Sequence, residues 1–355
     1  MVVIDIVKVI VPAALTFFIG IAITPIITHY LYAFKAWKKS PQKIALDGKE
    51  AEEFGKLRAH AETRTPRMGG IVVWGSVLIT TGLLWLLGFS FEDSIFHKLD
   101  FLSRSQTWIP FSTLIIGALV GLINDIFDIS SPSGEKGISR TMRLCVVGIV
   151  SLFIGWWFFE KLDITTVAVP FNGDFFIGWL IIPFFVLVSI ALYASGVIDG
   201  IDGLSGGVFA SIFAAYAGIA FYQQQIDLAA FNASVVGALL AFLWFNIPPA
   251  RFWMTETGTM GLTMTIAVIA FMTDTLGGGE GIAVLPVIAI LLVITVLSNI
   301  FQVLSKKYRG KKIFRVAPIH HHFEAIGWPG YKVTMRYWIV SVVFAVIGII
   351  IALTG

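Results

Sequence analysis

The sequence predicts an all-α membrane protein of about ten transmembrane helices, forming one integral membrane domain over residues 1–355. Composition is the first reason: 57% of residues are hydrophobic and 13% charged, with a mean hydropathy of +0.86. A soluble domain carries about 25% charged residues. The second reason is that the apolar residues come in runs of about 20, the length that crosses a hydrocarbon core of about 30 Å. The third is that no segment alternates like a barrel strand. Lipid gives backbone N–H and C=O groups no partners, so the runs are read as helices.

Taken in order, the first span is 8–33. Its apolar stretch, Val9 to Phe34, is too long for a signal peptide, has no strongly basic leader and is followed by further spans, so it is read as uncleaved. The next spans are 69–89, 108–125 and 142–160. Cys145, the only cysteine, falls in the last of these and cannot form an internal disulfide. "ITTVAVPFNGDFF" (164–176) then reads as a small hairpin outside the bilayer. Spans 175–194, 206–223, 230–247, 260–273, 282–303 and 335–353 complete the count. All 25 basic residues except Lys8, Lys98, Arg104 and Lys161 lie in, or at the edges of, the loops after the odd-numbered spans. Cytoplasmic loops carry the excess of Lys and Arg. Those loops are therefore expected in the cytoplasm, with both termini facing outward.

The polar residues that need explaining are on that same face. They lie in "GLINDIFDIS" (121–130), "GVIDGIDGLSGG" (196–207), "FNIPPARFWMTETGTMGL" (245–262) and "APIHHHFEAIGW" (317–328). These loops bring Asp125, Asp128, Asp199, Asp202, Glu256 and His320 to His322 to one side of the membrane. Asp125 and Asp128 are three residues apart, as are Asp199 and Asp202, and each pair shares a face if helical. One carboxylate pair alone reads equally well as solvated loop charge; several converging pairs favour a site. The five glycines of 196–207 either allow close helix packing or let backbone approach a phosphate or sugar.

Carboxylates among basic residues at a membrane surface suit Mg²⁺, which takes one or two carboxylates and fills its shell with water and phosphate oxygens. Lys136, Arg140 and Arg143 are candidates to neutralise the rest of a diphosphate. "SKKYRGKKIFR" (305–315) reads first as ordinary positive-inside topology. Three adjacent histidines cannot all face one point on a helix, so a contact to phosphate or sugar through one or two of them fits better than a metal cage.

In order along the chain, "TPRMGG" (65–70), "NDIFD", "VIDGIDGLSGG", "FNIPPARFWMTETGT" and "APIHHHFE" resemble the loops of the polyprenyl-phosphate N-acetylhexosamine-1-phosphate transferases. The histidine motif is similar to that of the branch transferring phospho-N-acetylmuramoyl-pentapeptide. The resemblance implies a ten-helix bundle with a cytoplasmic site in the plasma (inner) membrane. It also implies transfer of a phospho-sugar from a UDP donor to undecaprenyl phosphate, releasing UMP with Mg²⁺ required. In this branch the donor is UDP-N-acetylmuramoyl-pentapeptide, the product is lipid I, and a homodimer is the family's habit. Beyond these substrates and the lipid bilayer, nucleic acid is not an expected partner.

Carried over by position, Asp125 is the second aspartate of the acidic pair and is expected to act on the lipid phosphate. Asp199 and Asp202 match the nucleotide and sugar loop, Asn246 the asparagine near the nucleotide, and His320, His321 and His322 the histidine motif. Glu256 stands where the family has a metal-ligating aspartate, with Asp199 as its helper. The chain departs from the pattern at Asn124, where the first aspartate of the pair is a neutral amide, and at Asp128, where this branch has lysine. It departs again at Gly196 and Ile198, where asparagine and threonine are usual. Asp128 and "TPRMGG" lean towards a UDP-GlcNAc phosphotransferase. Asn124 and Glu256 also leave open a non-catalytic relative that binds the carrier or nucleotide. A transporter is disfavoured because the acidic groups sit on one face and no inverted repeat is apparent.

Overall fold

The computed structural model describes residues 2–39, 64–91, 93–130 and 138–355. The long helices are α1 (Val2–Ala33), α2 (Gly70–Ser90), α4 (Trp108–Ser130), α5 (Arg140–Leu162), α6 (Ile181–Ser195) and α7 (Leu204–Tyr222). They continue with α8 (Ile226–Asn246), α9 (Thr255–Met272), α11 (Ile290–Arg309) and α13 (Gly330–Thr354). Three short helices, α3 (Ile95–Leu99), α10 (Leu285–Ile288) and α12 (Ile319–Ala325), lie in the connections.

Among the described residues, nine helices are long and apolar enough to cross a membrane, α6 counting with the turns on either side of it. The protein is a multi-pass membrane protein. The tenth expected span, 260–273, corresponds to α9, which is not one of the nine. Its first turn is Thr-Glu-Thr-Gly-Thr, and every residue from Thr255 to Met272 except Glu256 is buried. The helix is enclosed by other helices, so selection for lipid solubility does not act on it. Its threonines bond within the helix instead: Thr259, Thr263 and Thr265 donate to the carbonyls of Thr255, Thr259 and Gly261. That satisfies buried hydroxyls without water.

Small residues bring α4 and α9 together. A Cβ on Gly117 would come 2.8 Å from the Gly261 Cα, and one on Gly121 would overlap the Glu256 carbonyl oxygen. Such contacts let backbones approach where lipid supplies no hydrophobic drive between helices. Hydrogen bonds join the end of α4, the starts of α5 and α9, the chain between α6 and α7, the end of α8 and the segment before α2, so these meet at one end of the bundle.

Several boundaries differ from expectation, and two of the differences shape the fold. α4 continues to Ser130, which puts Asp125 and Asp128 on one helix. The span expected at 282–303 is displaced: the chain makes one turn of helix at Leu285–Ile288 and breaks at Ala289, and α11 then runs to Arg309.

The small hairpin forms as expected at the other end of the bundle. β1 (Thr166–Val169) pairs antiparallel with β2 (Gly173–Phe176), with Thr166 opposite Phe176 and Val169 opposite Gly173. Buried Asp274, just past α9, holds it in place. Its Oδ1 accepts the Ala168 N–H at 2.9 Å, and its Oδ2 accepts the Ile282 N–H at 2.9 Å. Burial pushes this carboxyl up to about 6 from 3.8. In that interval the folded chain holds a proton there that the unfolded chain releases, so stability falls as pH rises through it. Asp274→Ala would orphan two N–H groups at about 1–3 kcal/mol each. The expected result is a clear drop in melting temperature in detergent; an unchanged melt would show that the hairpin is not anchored there.

Candidate active site

The site is built around Asp125, near the end of α4. Its side chain is fully buried, and protein donors engage both oxygens. Arg67 Nη2 lies 3.3 Å from Oδ1. Oδ2 accepts the Thr255 hydroxyl at 2.5 Å, the Thr257 hydroxyl at 2.6 Å and the Thr257 N–H at 2.9 Å. A carboxylate accepts through about four lone-pair sites. Asp125 therefore ties α4, the first turn of α9 and the segment before α2 into one unit. Asp128, three residues on and on the same helix face, also takes Arg67 Nη2 at 3.3 Å, with Lys38 Nζ at 3.5 Å.

The "TPRMGG" segment runs alongside the chain entering α9. Trp253 N–H donates to the Pro66 carbonyl at 2.9 Å, and Gly69 N–H donates to the Trp253 carbonyl at 2.7 Å. Met68 N–H donates to Thr255 Oγ1 at 3.0 Å. Thr255 itself has φ +53°, a conformation unusual for a β-branched residue. Such strain persists where the surroundings over-determine it, as the bonds from Thr255 to Asp125, Met68 and Asp199 do here.

Asp199 and Asp202 do not share a helix face. The segment between α6 and α7 is a turn ending at Gly203, whose φ of +76° places it in the left-handed region. The two carboxylates consequently have different surroundings. Asp199 Oδ1 accepts the Ser205 hydroxyl at 2.7 Å, and its Oδ2 accepts the Thr255 N–H at 2.7 Å. Burial raises its pKa above the ordinary value, and these two bonds partly offset the rise. Asp202 accepts the Trp253 indole N–H at 3.0 Å and the Ala250 N–H at 3.1 Å. Buried Asn246 joins the same two loops, accepting the Gly203 N–H at 2.9 Å and donating to the Phe252 carbonyl at 2.7 Å.

Glu256, in the first turn of α9, pairs with Arg143 from the first turn of α5 at 2.5 Å. Asn124 is buried and accepts the Ile138 N–H at 3.1 Å. The histidines approach from α12. His320 and His321 are buried, and a Cβ on Gly200 would lie 2.6 Å from the Nε2 of each. His321 Nδ1 is 2.8 Å from Glu324, and His322 Nδ1 accepts the Arg315 N–H at 3.2 Å. Lys136 lies outside the described residues.

The structure thus gathers Asp125, Asp128, Asp199, Asp202, Asn246, Glu256, Arg143 and the histidines at one end of the bundle. Sequence reasoning passed over Arg67, Thr255, Thr257 and Trp253, which hold them together. An arginine inside "TPRMGG" and threonines flanking Glu256 were the available signals.

Among the described residues, no three His, Cys, Asp or Glu side chains are grouped so as to hold a metal ion. Mg²⁺ asks for less, one or two carboxylates with water and phosphate oxygens. Asp199 and Glu256 fit that demand. Asp199, a half-buried residue, bonds the N–H of Thr255, the residue before Glu256, and the Glu256 side chain is partly exposed.

Comparison with known proteins identifies the family. Residues 107–274 match the model of glycosyl transferase family 4. A phospho-N-acetylmuramoyl-pentapeptide-transferase of Anoxybacillus flavithermus is 33% identical over 96% of both chains. Proteins of the same name are 32% identical in a Geobacillus species, over 95% of both chains, and 30% identical in Bacillus subtilis, over 94% of this chain and 95% of that one.

Proposed function

The chain belongs to glycosyl transferase family 4, among its phospho-N-acetylmuramoyl-pentapeptide-transferases, and from that premise we propose how its site works. The reaction is transfer of phospho-N-acetylmuramoyl-pentapeptide from UDP to undecaprenyl phosphate, giving lipid I and UMP in peptidoglycan synthesis. The observation that carries the residue assignments is the junction at Thr255, where Asp125, Asp199 and the backbone entering Glu256 are bonded to one residue. We place this end of the bundle in the cytoplasm, facing inward from the plasma membrane, because it carries most of the basic residues. A homodimer is the family's expectation for its assembly.

Phosphoryl transfer needs positioning and charge neutralisation more than covalent help from the protein. Mg²⁺ held by Glu256 and Asp199 would supply charge neutralisation at the diphosphate and at departing UMP. An oxygen of the lipid phosphate attacks the donor phosphorus nearest the sugar. That P–O bond forms as the bond to UMP breaks. A phosphate monoester has a second pKa of about 6, so the nucleophile is already largely ionised at neutral pH. No base is then required, which makes the neutral Asn124 compatible with turnover.

Asp125, saturated by Arg67 and two threonines, orients the start of α9 rather than abstracting a proton. Asp202 and Asn246 hold the loop around Trp253 in which the nucleotide is bound. His320 and His321 pack against Gly200 and would contact donor phosphate or ribose beside it. Arg143, with Lys136 and His322 at the margins, completes the donor contacts. Asp128, which stands where the resemblance expects lysine and pairs with Arg67 at 3.3 Å, favours a second reading, a UDP-GlcNAc donor.

The test is UMP release by purified protein in detergent with undecaprenyl phosphate, UDP-N-acetylmuramoyl-pentapeptide and Mg²⁺. Release is expected to require the lipid and to stop with EDTA. Release only with UDP-GlcNAc would move the assignment to the second reading. Binding without release from either donor would leave a carrier-binding relative. EDTA-insensitive release would remove the metal.

A further inference from the structure

The contact between Arg143 and Glu256 has a chemistry the transfer reaction does not by itself require. Glu256 is offered as a cation ligand, yet its Oε1 already holds the Arg143 guanidinium at 2.5 Å. Both side chains are partly exposed, at 19% and 25%, so the pair is reachable from outside rather than sealed in the core. Arg143 is also under-used. Apart from Glu256 it lies against Tyr193, and its buried Nε has no hydrogen-bond partner among the described residues. A guanidinium carries five donors in a planar fork suited to two phosphate oxygens at once. A cation on Glu256 and the Arg143 charge would repel each other at this distance.

We propose that Arg143 is the counter-ion of Glu256 only while the donor is absent. When the donor binds, the guanidinium passes to its diphosphate and Glu256 is released to the metal. Arg143 then acts as an exchangeable plug, and metal and donor each favour the other's binding through it. The coupling is reciprocal, as any coupling between binding free energies must be. The substrate-free site binds divalent cation weakly and gains affinity when the donor arrives. This inference rests on the transferase reading for the identity of the donor, but its first arm needs no donor.

Free Mn²⁺, counted by electron paramagnetic resonance, reads the metal affinity of the substrate-free protein. Arg143→Gln is expected to bind Mn²⁺ at least tenfold more tightly than the unaltered chain. Arg143→Lys, which keeps the charge, should bind as the unaltered chain does. Adding Glu256→Gln to Arg143→Gln should abolish the gain. Equal affinity in Arg143→Gln and the unaltered protein would overturn the proposal, as would a gain that survives Glu256→Gln.

Should Arg143→Gln fail to fold, the unaltered chain decides. After subtraction of the Mn²⁺ that the donor binds by itself, UDP-N-acetylmuramoyl-pentapeptide, with no lipid acceptor present, is expected to raise its Mn²⁺ affinity about tenfold, and no change would overturn the plug. Failure of the transferase reading looks different: Mn²⁺ tightens in Arg143→Gln, yet the unaltered protein releases no UMP.

Discussion

Asp125→Asn is expected to lower stability by about 3 kcal/mol and to reduce UMP release at least 100-fold. Removing one partner of a buried ion pair costs about 3–5 kcal/mol, because the other charge is left without compensation. Arg67 keeps Asp128, which places this case at the lower end. The amide has no good orientation. With its NH₂ at the Oδ1 position it points donors at Arg67; at the Oδ2 position it faces two hydroxyls and the Thr257 N–H. In the first orientation the tie to Arg67 and the segment before α2 is lost; in the second the first turn of α9 loses its anchor; both loosen the unit that positions Glu256. Displacements of about 1 Å at a reacting centre cost on the order of 100-fold. Melting temperature and turnover measured on one preparation check this. Turnover near that of the unaltered protein would mean that Asp125 neither orients the site nor acts on the phosphate.

The second large effect is expected from a single methyl group. Gly121 lies one turn before Asp125 on α4, where a Cβ would overlap the Glu256 carbonyl and crowd the Thr257 nitrogen. The obstacle is backbone, which cannot rotate aside as a side chain would. Gly121→Ala must therefore push α4 and α9 apart, and overpacking of this kind costs about 1–3 kcal/mol. The functional loss should be comparable to the upper end of that cost. The separation opens beside Glu256, and a shift approaching 1 Å there predicts about 100-fold less UMP release from protein that still folds. Gly82, with nothing within 4 Å of its added Cβ, is the matched control on α2. Equal activities of the two alanine variants would show that the α4–α9 approach does not position the site.

The long lipid-facing helices were legible because their apolar runs report directly on solvation, and the hairpin because its turn residues interrupt them. α9 was legible only in its apolar half. An enclosed helix is free to carry threonines that bond to its own carbonyls, and hydropathy reads those as a gap. In the site, Asp125, Asp199 and Glu256 stood out as carboxylates in an apolar chain. What joins them did not. The bonds from Thr255 to Asp125 and Met68 cross 130 and 187 residues, and no local pattern announces such a pair. The spacing of Asp199 and Asp202 suggested a shared face, but Gly203 turns the chain and sends the two carboxylates to different partners.

The enclosure of α9 also bears on how the chain enters the bilayer. A segment opening Thr-Glu-Thr-Gly-Thr gains less from hydrocarbon than its neighbours do, so its own apolarity is a weak instruction to the insertion machinery. What it gains comes from Leu114, Gly117 and Ala118 of α4, against which Gly261 packs, and from Gly70 of α2, which abuts Gly258. Those helices precede it in the order of synthesis. They are therefore made before the piece of chain that carries Glu256, whose partners in the fold are protein rather than lipid.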